Sequence, residues 1–249
     1  MREQPKQPKR QGSVHRKSPR PWPPDGSTLD IWFENSDFPF RHLFLENVVI
    51  CESVSASDER FTSSYVSEQF SKEIHTLHFR KTSSSTAPWV TMILNEANGA
   101  ILAVEHNAKR NPKGYSITVS LFRGTIRGAF GYHNLTDFPV HEPGHLGLDI
   151  WMPNVPNSGR LFSDLSGTGR LRQWTANRSQ SKAQTKLSAS GRLLAIDDNT
   201  SVLPWSGTTH GGIILLDHGE QKISGAAIFA NHNAVLTRQN VDGIIHNWP

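Results

Sequence analysis

The sequence predicts a mainly β protein: an antiparallel β-sandwich, a jelly roll or an irregular barrel, with a disordered basic arm at its N-terminus. Two observations predict this fold class. Short segments alternate apolar and polar residues with a period of two, and glycine, proline and asparagine separate them. Hydrophobic residues make up only 36% of the chain and charged residues 19%, and the serine, threonine and glycine between them favour short strands over long helices.

Residues 1–27 form the predicted arm, in which proline, glutamine, lysine and arginine dominate. Residues 1–20 alone carry seven basic side chains and one acid. Such a segment has too little apolar surface to offset the entropy that is lost on ordering. We therefore expect residues 1–27 to be disordered and residues 28–249 to form a single β-rich domain.

The clearest strand is Tyr115–Phe122, in which apolar side chains alternate with serine and threonine. Trp89–Asn95 and Ala100–His106 flank an Asn-Gly pair, which is a strong hairpin signal. We expect Asn107–Gly114 to form the tip of the next hairpin. Further strands are predicted at Leu43–Cys51, Ile74–Arg80, Arg192–Asp197, Ser201–Trp205, Ile213–Asp217, Lys222–Ala230 and Ile244–Trp248.

Two segments give ambiguous patterns. Asp58–Lys72 has scattered apolar positions that fit either one helix or a strand and a loop. The stretch near 164–192 predicts a basic loop or a short helix, with the helix over Leu171–Leu187. Its serine, glutamine, asparagine and threonine residues favour a loop as much as a helix.

Basic charge is concentrated in three segments: residues 1–20, 107–128 and 160–192. Clusters of one charge on an otherwise acidic chain are typical of proteins that bind polyanions, although single charged runs are more often solvated surface. The candidate nucleic-acid-binding residues are Lys6, Lys9, Arg10, Arg16, Lys17, Arg20, Lys109, Arg110, Lys113, Arg170, Arg172, Trp174, Arg178, Lys182 and Lys186.

Trp174 is the aromatic member of this set. Arg170, Arg172 and Arg178 surround it in the sequence and leave it little apolar company. An exposed indole beside arginine suits stacking on the bases of single-stranded nucleic acid. The alternative is that Trp174 packs in the β core, where aromatic rings supply much of the buried area.

The string from His141 to His145 reads HEPGH and fits the H-E-x-x-H pattern. It resembles the zincin metalloproteases, in particular their metzincin branch, and this resemblance implies zinc held by the two histidines. The pattern requires a helix, which Pro143 and Gly144 disfavour by about 3 and 1 kcal/mol. We therefore expect a loop with no metal site, and no cofactor.

These observations together predict a non-enzymatic nucleic-acid-binding protein. In layout the chain resembles the small coat or movement proteins of simple RNA or single-stranded DNA viruses, which implies single-stranded nucleic acid as the partner, together with self-association. One alternative is a β-sandwich module that binds a carbohydrate or a protein partner. The other is a zinc metallohydrolase that uses the HEPGH string.

The sequence also limits the compartment. A single cysteine, Cys51, excludes an intramolecular disulfide. No apolar run is long enough for a transmembrane helix, and no apolar stretch follows the basic N-terminus as in a secretory signal. We expect an intracellular protein of the cytoplasm or nucleus that is not secreted.

Overall fold

The structure is a computed structural model that describes residues 22–34, 36–54, 60–82, 84–112, 114–126, 146–151, 160–165, 169–177 and 184–247. Within these ranges the chain forms seventeen strands and no helix. The described part of the chain therefore contains no helix of the length and apolarity needed to cross a bilayer. The strands form two closed antiparallel barrels, which we call barrel 1 and barrel 2.

Barrel 1 is an up-and-down meander of eight strands, closed where β1 pairs with β8. Apart from this closing pair, each strand pairs with the next strand along the chain. The strands are β1 Thr28–Phe33, β2 Phe40–Leu45, β3 Val48–Ser53, β4 Arg60–Gln69, β5 Ile74–Arg80, β6 Trp89–Asn95, β7 Ala100–Asn111 and β8 Gly114–Ile126.

The sequence explains the turns and the faces of barrel 1. Gly99 has a φ of 69° in the turn between β6 and β7, a conformation that glycine adopts without strain. Successive side chains of a strand point to opposite faces. In β7, Ile101 and Ala103 therefore face the barrel interior, while Leu102 and Val104 pack against barrel 2.

Barrel 2 has the strand order β12-β11-β10-β9-β17-β16-β15-β14, and β12 closes the ring by pairing with β14. A short strand, β13, extends the sheet beside β14. The strands are β9 Leu146–Trp151, β10 Arg160–Leu165, β11 Arg170–Asn177, β12 Gln184–Arg192, β13 Leu194–Ala195, β14 Thr200–Gly207, β15 His210–Asp217, β16 Lys222–Ala230 and β17 Leu236–Asn247.

The interior of barrel 2 is filled by large side chains. Trp174 and Trp205 are 0% and 1% exposed, and their rings meet edge to face with centroids 5.6 Å apart. A β-bulge between Leu171 and Gln173 shifts the register of β11, so Leu171 and Trp174 are both buried while Arg172 and Gln173 are both exposed.

The two barrels pack against each other through the outer faces of their strands. Ile93 and Val104 of barrel 1 belong to one buried cluster with Ile213 and Leu215 of barrel 2. The Nε2 atom of His106 lies 3.0 Å from the backbone carbonyl oxygen of Gly212, which accepts a hydrogen bond from the ring N–H.

A glycine permits this close approach of the barrels. A Cβ atom added at Gly211 would lie 2.6 Å from the Cγ2 atom of Ile117, which is closer than carbon atoms pack. A larger residue at position 211 would therefore push the two barrels apart.

The mainly β prediction is confirmed, and the architecture is a pair of closed barrels, not a sandwich or a jelly roll. Predicted strands at Ile74–Arg80, Trp89–Asn95 and Lys222–Ala230 match the structure. The ambiguous segment Asp58–Lys72 contains a strand, β4. The predicted helix over Leu171–Leu187 is wrong, since the described residues there belong to β11 and β12. The bulge in β11 interrupts the alternation of apolar and polar residues, so the sequence did not show the pattern of a strand.

The N-terminal boundary also differs from the expectation. Residues 1–21 lie outside the described residues, but the structure describes residues 22–27, which composition assigns to the arm. The Trp22 ring stacks on His75 with centroids 4.4 Å apart, and its Nε1–H donates a 2.8 Å hydrogen bond to Oε1 of Glu96. Trp22 therefore belongs to barrel 1, because tertiary contacts compensate for the polar sequence around it.

Candidate functional site

Barrel 1 encloses a cavity of about 280 Å³ near one of its ends, which we call the aromatic cavity. Five phenylalanine side chains line it: Phe33, Phe40, Phe61, Phe79 and Phe122. Eight strands give a barrel interior that side chains can just fill or that can hold one small ligand. The C-terminal ends of β1, β3 and β5 lie at the open end of the cavity, which we call the mouth.

The phenylalanine rings form a continuous apolar wall. Phe33 packs edge to face against Phe40 and Phe122, with centroids 5.8 and 6.3 Å apart. Phe61 stacks against Phe79 at 6.3 Å. Phe122 is 37% exposed and therefore forms part of the rim that a ligand would pass.

Two small inward residues leave room for the cavity. Ala103 of β7 is buried opposite Phe122, and Cys51 of β3 is buried opposite Phe61. Burial raises the pKa of the Cys51 thiol, so this group stays protonated and contributes an apolar surface. A larger side chain at either position would occupy the space between the rings.

His42 is the titratable ring within the wall. It is 5% exposed, its Nδ1 atom lies 3.2 Å from the carbonyl oxygen of Phe40, and its ring meets Phe79 edge to face. Burial lowers the pKa of His42 to about 4. The imidazole is therefore neutral at pH 7 and does not add positive charge to the cavity.

An ion pair stands at the mouth. The Lys81 Nζ atom lies 3.5 Å from Oε2 of Glu105, and the Asn107 amide donates a 2.7 Å hydrogen bond to Oε1 of the same carboxylate. The Glu105 side chain is 15% exposed, whereas the Lys81 side chain is 49% exposed. The cavity thus combines an apolar wall with one polar end, as small-molecule sites commonly do.

The opposite end of barrel 1 is closed. Trp22 lies across it, held by the His75 ring, the Glu96 carboxylate and a hydrogen bond from the Ser67 hydroxyl to the Trp22 carbonyl. Inward residues above Trp22, such as Leu94, pack with it in the core of barrel 1. A ligand would therefore enter through the mouth.

The structure separates the predicted nucleic-acid-binding residues. Lys109 and Arg110 are exposed on β7, which continues to Asn111, so they do not lie in the predicted hairpin loop. Arg170, Arg172 and Lys186 are exposed on β11 and β12 of barrel 2. The following predicted residues lie outside the described residues: Lys6, Lys9, Arg10, Arg16, Lys17, Arg20, Lys113, Arg178 and Lys182.

Trp174 does not fit the stacking role. Its side chain is fully buried inside barrel 2 and packs against Trp205, so no face of the indole is open to a base. The sequence prediction is wrong because the bulge at Leu171 and Gln173 turns the indole inward although charged residues precede it. The core alternative for Trp174 is the correct one.

The HEPGH string, residues 141–145, lies outside the described residues, so the structure does not place the histidines of the zincin pattern. In the part of the chain that is described, no group of three or more histidine, cysteine, aspartate or glutamate side chains converges as metal ligands would.

Sequence reasoning did not identify the aromatic cavity. The signal was present in the Phe40–Phe44 segment, where Phe40, His42 and Phe44 alternate with outward residues. Alternation identifies an inward face, but it does not tell whether the side chains of that face fill the interior.

Comparison with known proteins gives no family. No family model matches this chain, and no curated protein matches it. The chain is similar to the crystal structure of a protein of unknown function from the DUF3598 family of Nostoc punctiforme, with 9% sequence identity and a TM-score of 0.34. The similarity covers 89% of this chain and 94% of that chain, and a likeness at this level carries no information about function.

Proposed function

We propose that barrel 1 binds a small, largely apolar organic molecule in the aromatic cavity. The observation that carries this proposal is the cavity of about 280 Å³ among five phenylalanine rings, open at the mouth and closed below by Trp22. An engineered apolar cavity of about 150 Å³ already binds benzene. The aromatic cavity therefore suits a molecule of one or two rings, or a short alkyl chain.

The size of the cavity limits the ligand class. Sites for drug-sized molecules usually measure about 300–1,000 Å³. The aromatic cavity lies just below this range, so we expect long fatty acids and large polycyclic molecules to be excluded. The binding free energy should come mainly from apolar burial, which contributes about 25 cal/mol for each Å² of apolar surface removed from water.

A fluorescent probe tests this proposal. Prodan, a naphthalene dye with two rings, changes its emission in apolar surroundings, and we expect saturable binding with one site per chain, reversed by 4-phenylbutanol. The substitution Ala103→Phe fills the cavity and should abolish both effects. The matched control is Val66→Phe, since Val66 is 49% exposed on the outer face of β4 and adds the same ring outside the cavity.

The two variants give opposite outcomes if the probe occupies the cavity. Loss of probe binding in Ala103→Phe with full binding in Val66→Phe supports the proposal. Equal binding by the two variants would place the probe elsewhere and contradict it.

We also propose a second function, single-stranded nucleic-acid binding, on the exposed face of β11 and β12. We call this face the basic ribbon; its described basic residues are Arg170, Arg172, Lys186 and Arg192. Arg170 and Arg192 are directly paired across the two strands, and both are exposed. Like charges in this position destabilise a sheet, and a bound polyanion would relieve the repulsion.

The double variant Arg170→Gln and Arg192→Gln tests the basic ribbon. Binding to oligothymidylate should weaken, and the slope of log K against log salt should fall by about 0.7 for each phosphate that the protein no longer neutralises. The free energy of unfolding should rise slightly, because the repulsion is removed. The control Lys222→Gln removes an exposed charge from β16; an equal loss of affinity there would contradict the assignment.

A further inference from the structure

The two charged groups at the mouth of the aromatic cavity are held to different degrees. Glu105 belongs to β7, is 15% exposed and accepts the 2.7 Å hydrogen bond from Asn107. Lys81 follows the end of β5 and is 49% exposed. Its Nζ atom is 3.5 Å from the carboxylate, which is longer than an ordinary charged hydrogen bond of about 2.7–2.9 Å.

This difference in exposure decides whether a charged ligand can bind at the mouth with a small cost in free energy. A ligand ammonium can take the place of the Lys81 ammonium beside Glu105, and Lys81 can return to water because half of it is already there. A ligand carboxylate would have to draw Lys81 away from Glu105. That exchange leaves the Glu105 carboxylate partly desolvated, without its cation and close to a second anion, which is costly.

The aromatic wall of the cavity also favours a ligand cation over a ligand anion. The faces of aromatic rings carry partial negative charge and attract cations, an effect that strengthens where water is excluded. Phe33, Phe40 and Phe122 lie with Lys81 and Glu105 among the residues that line the cavity. His42, which could otherwise stabilise an anion, is neutral because burial lowers its pKa to about 4.

We propose that the aromatic cavity is selective for organic amines, with the apolar body of the ligand among the phenylalanine rings and its ammonium group on the Glu105 carboxylate. This inference rests on the proposed ligand-binding function and names the ligand class of the same site.

The test uses three probes that share one apolar body: 4-phenylbutylamine, 4-phenylbutanol and 4-phenylbutyrate. Calorimetric titration at pH 7 and low salt measures the affinity of each for the full chain. The amine should bind at least about tenfold more tightly than the acid, as a hydrogen bond to a charged group provides. The alcohol should lie between them, because it gains the apolar burial alone.

Three variants locate the selectivity. Glu105→Gln keeps the side-chain oxygen that accepts from Asn107 but removes the charge, so the preference for amine over acid should fall to about threefold or less. Lys81→Gln removes the competing cation and should raise amine affinity. Glu220→Gln changes an exposed carboxylate in the turn before β16 and should leave the order of the three probes as it is.

Each result bears on one proposal. Retained affinity of Glu105→Gln for 4-phenylbutanol shows that the cavity is intact in that variant. Tighter binding of the acid than the amine, or an amine preference that persists in Glu105→Gln, overturns the amine inference and leaves the ligand-binding proposal standing. Failure of the alcohol to bind the unmodified chain overturns the ligand-binding proposal itself.

Discussion

Barrel 1 and barrel 2 are both closed by eight antiparallel strands, but their interiors are occupied in different ways. In barrel 2 the rings of Trp174 and Trp205 meet at the centre and are surrounded by aliphatic side chains. In barrel 1 the inward positions 51 and 103 hold cysteine and alanine, and a cavity opens between the phenylalanine rings. The strand number sets the size of the interior, and the volume of a few inward side chains decides whether it is empty.

We expect the largest effect from the loss of an indole in barrel 2. Trp174→Ala should lower the free energy of unfolding by about 3–5 kcal/mol, because it leaves a void that the surrounding side chains cannot close. Phe122→Ala, at the exposed rim of barrel 1, should cost far less. Urea denaturation compares the two, and equal costs would show that the two interiors are not packed differently.

Substitutions that add volume should also destabilise barrel 2 more than barrel 1, but by a smaller amount. Ala227→Leu should destabilise the protein by about 1–3 kcal/mol, because Ala227 is 1% exposed and belongs to the buried cluster around Trp174 and Trp205. Ala103→Leu extends into the aromatic cavity and should be nearly neutral or stabilising. Thermal melting of the two variants measures this difference. A comparable destabilisation by Ala103→Leu would contradict the prediction.

Trp22 tests whether barrel 1 depends on its closed end. Trp22→Ala removes the stacked pair with His75, which contributes about 0.5–1.5 kcal/mol beyond apolar burial. A chain that lacks residues 1–21 keeps Trp22 and should melt like the full chain. If the truncated chain melts far below the full chain, then residues 1–21 contribute to stability and the arm prediction is wrong.

The smallest effect is the pH dependence at the contact between the barrels. Burial lowers the pKa of His106 to about 4, below the value of about 6.5 in an unfolded chain. The unfolded state therefore takes up the proton first, and the stability present above pH 6.5 is lost as the pH falls toward 4. His106→Gln should reduce this loss by at most about 1.4 kcal/mol per pH unit, the value of one proton.

Urea midpoints at pH 7 and pH 5 measure this slope, and His232→Gln is the control because His232 is exposed in the turn after β16. An unchanged slope in His106→Gln would mean that this histidine is not responsible for the acid sensitivity.

Local patterns were sufficient for many strands. The Asn98-Gly99 pair and the alternation on either side of it fix the hairpin of β6 and β7, because a tight turn and a period of two need only neighbouring residues. Alternation also places His75 and His78 on opposite faces: His75 stacks on Trp22, and the His78 ring is hydrogen-bonded to the Thr91 hydroxyl. Burial of Trp174 was not predictable in this way, since a bulge changes which residues face inward.

Residue order alone was enough to establish that the chain is mainly β, where most strands lie and where basic charge is concentrated. The closure of the strands into two barrels, the sealing of one barrel by Trp22 and the meeting of Lys81 and Glu105 at a cavity mouth became visible only in the folded chain. The physical reason is range. Strand periodicity and turns depend on residues close in the chain, whereas barrel closure and empty volume depend on side chains brought together from strands far apart in sequence.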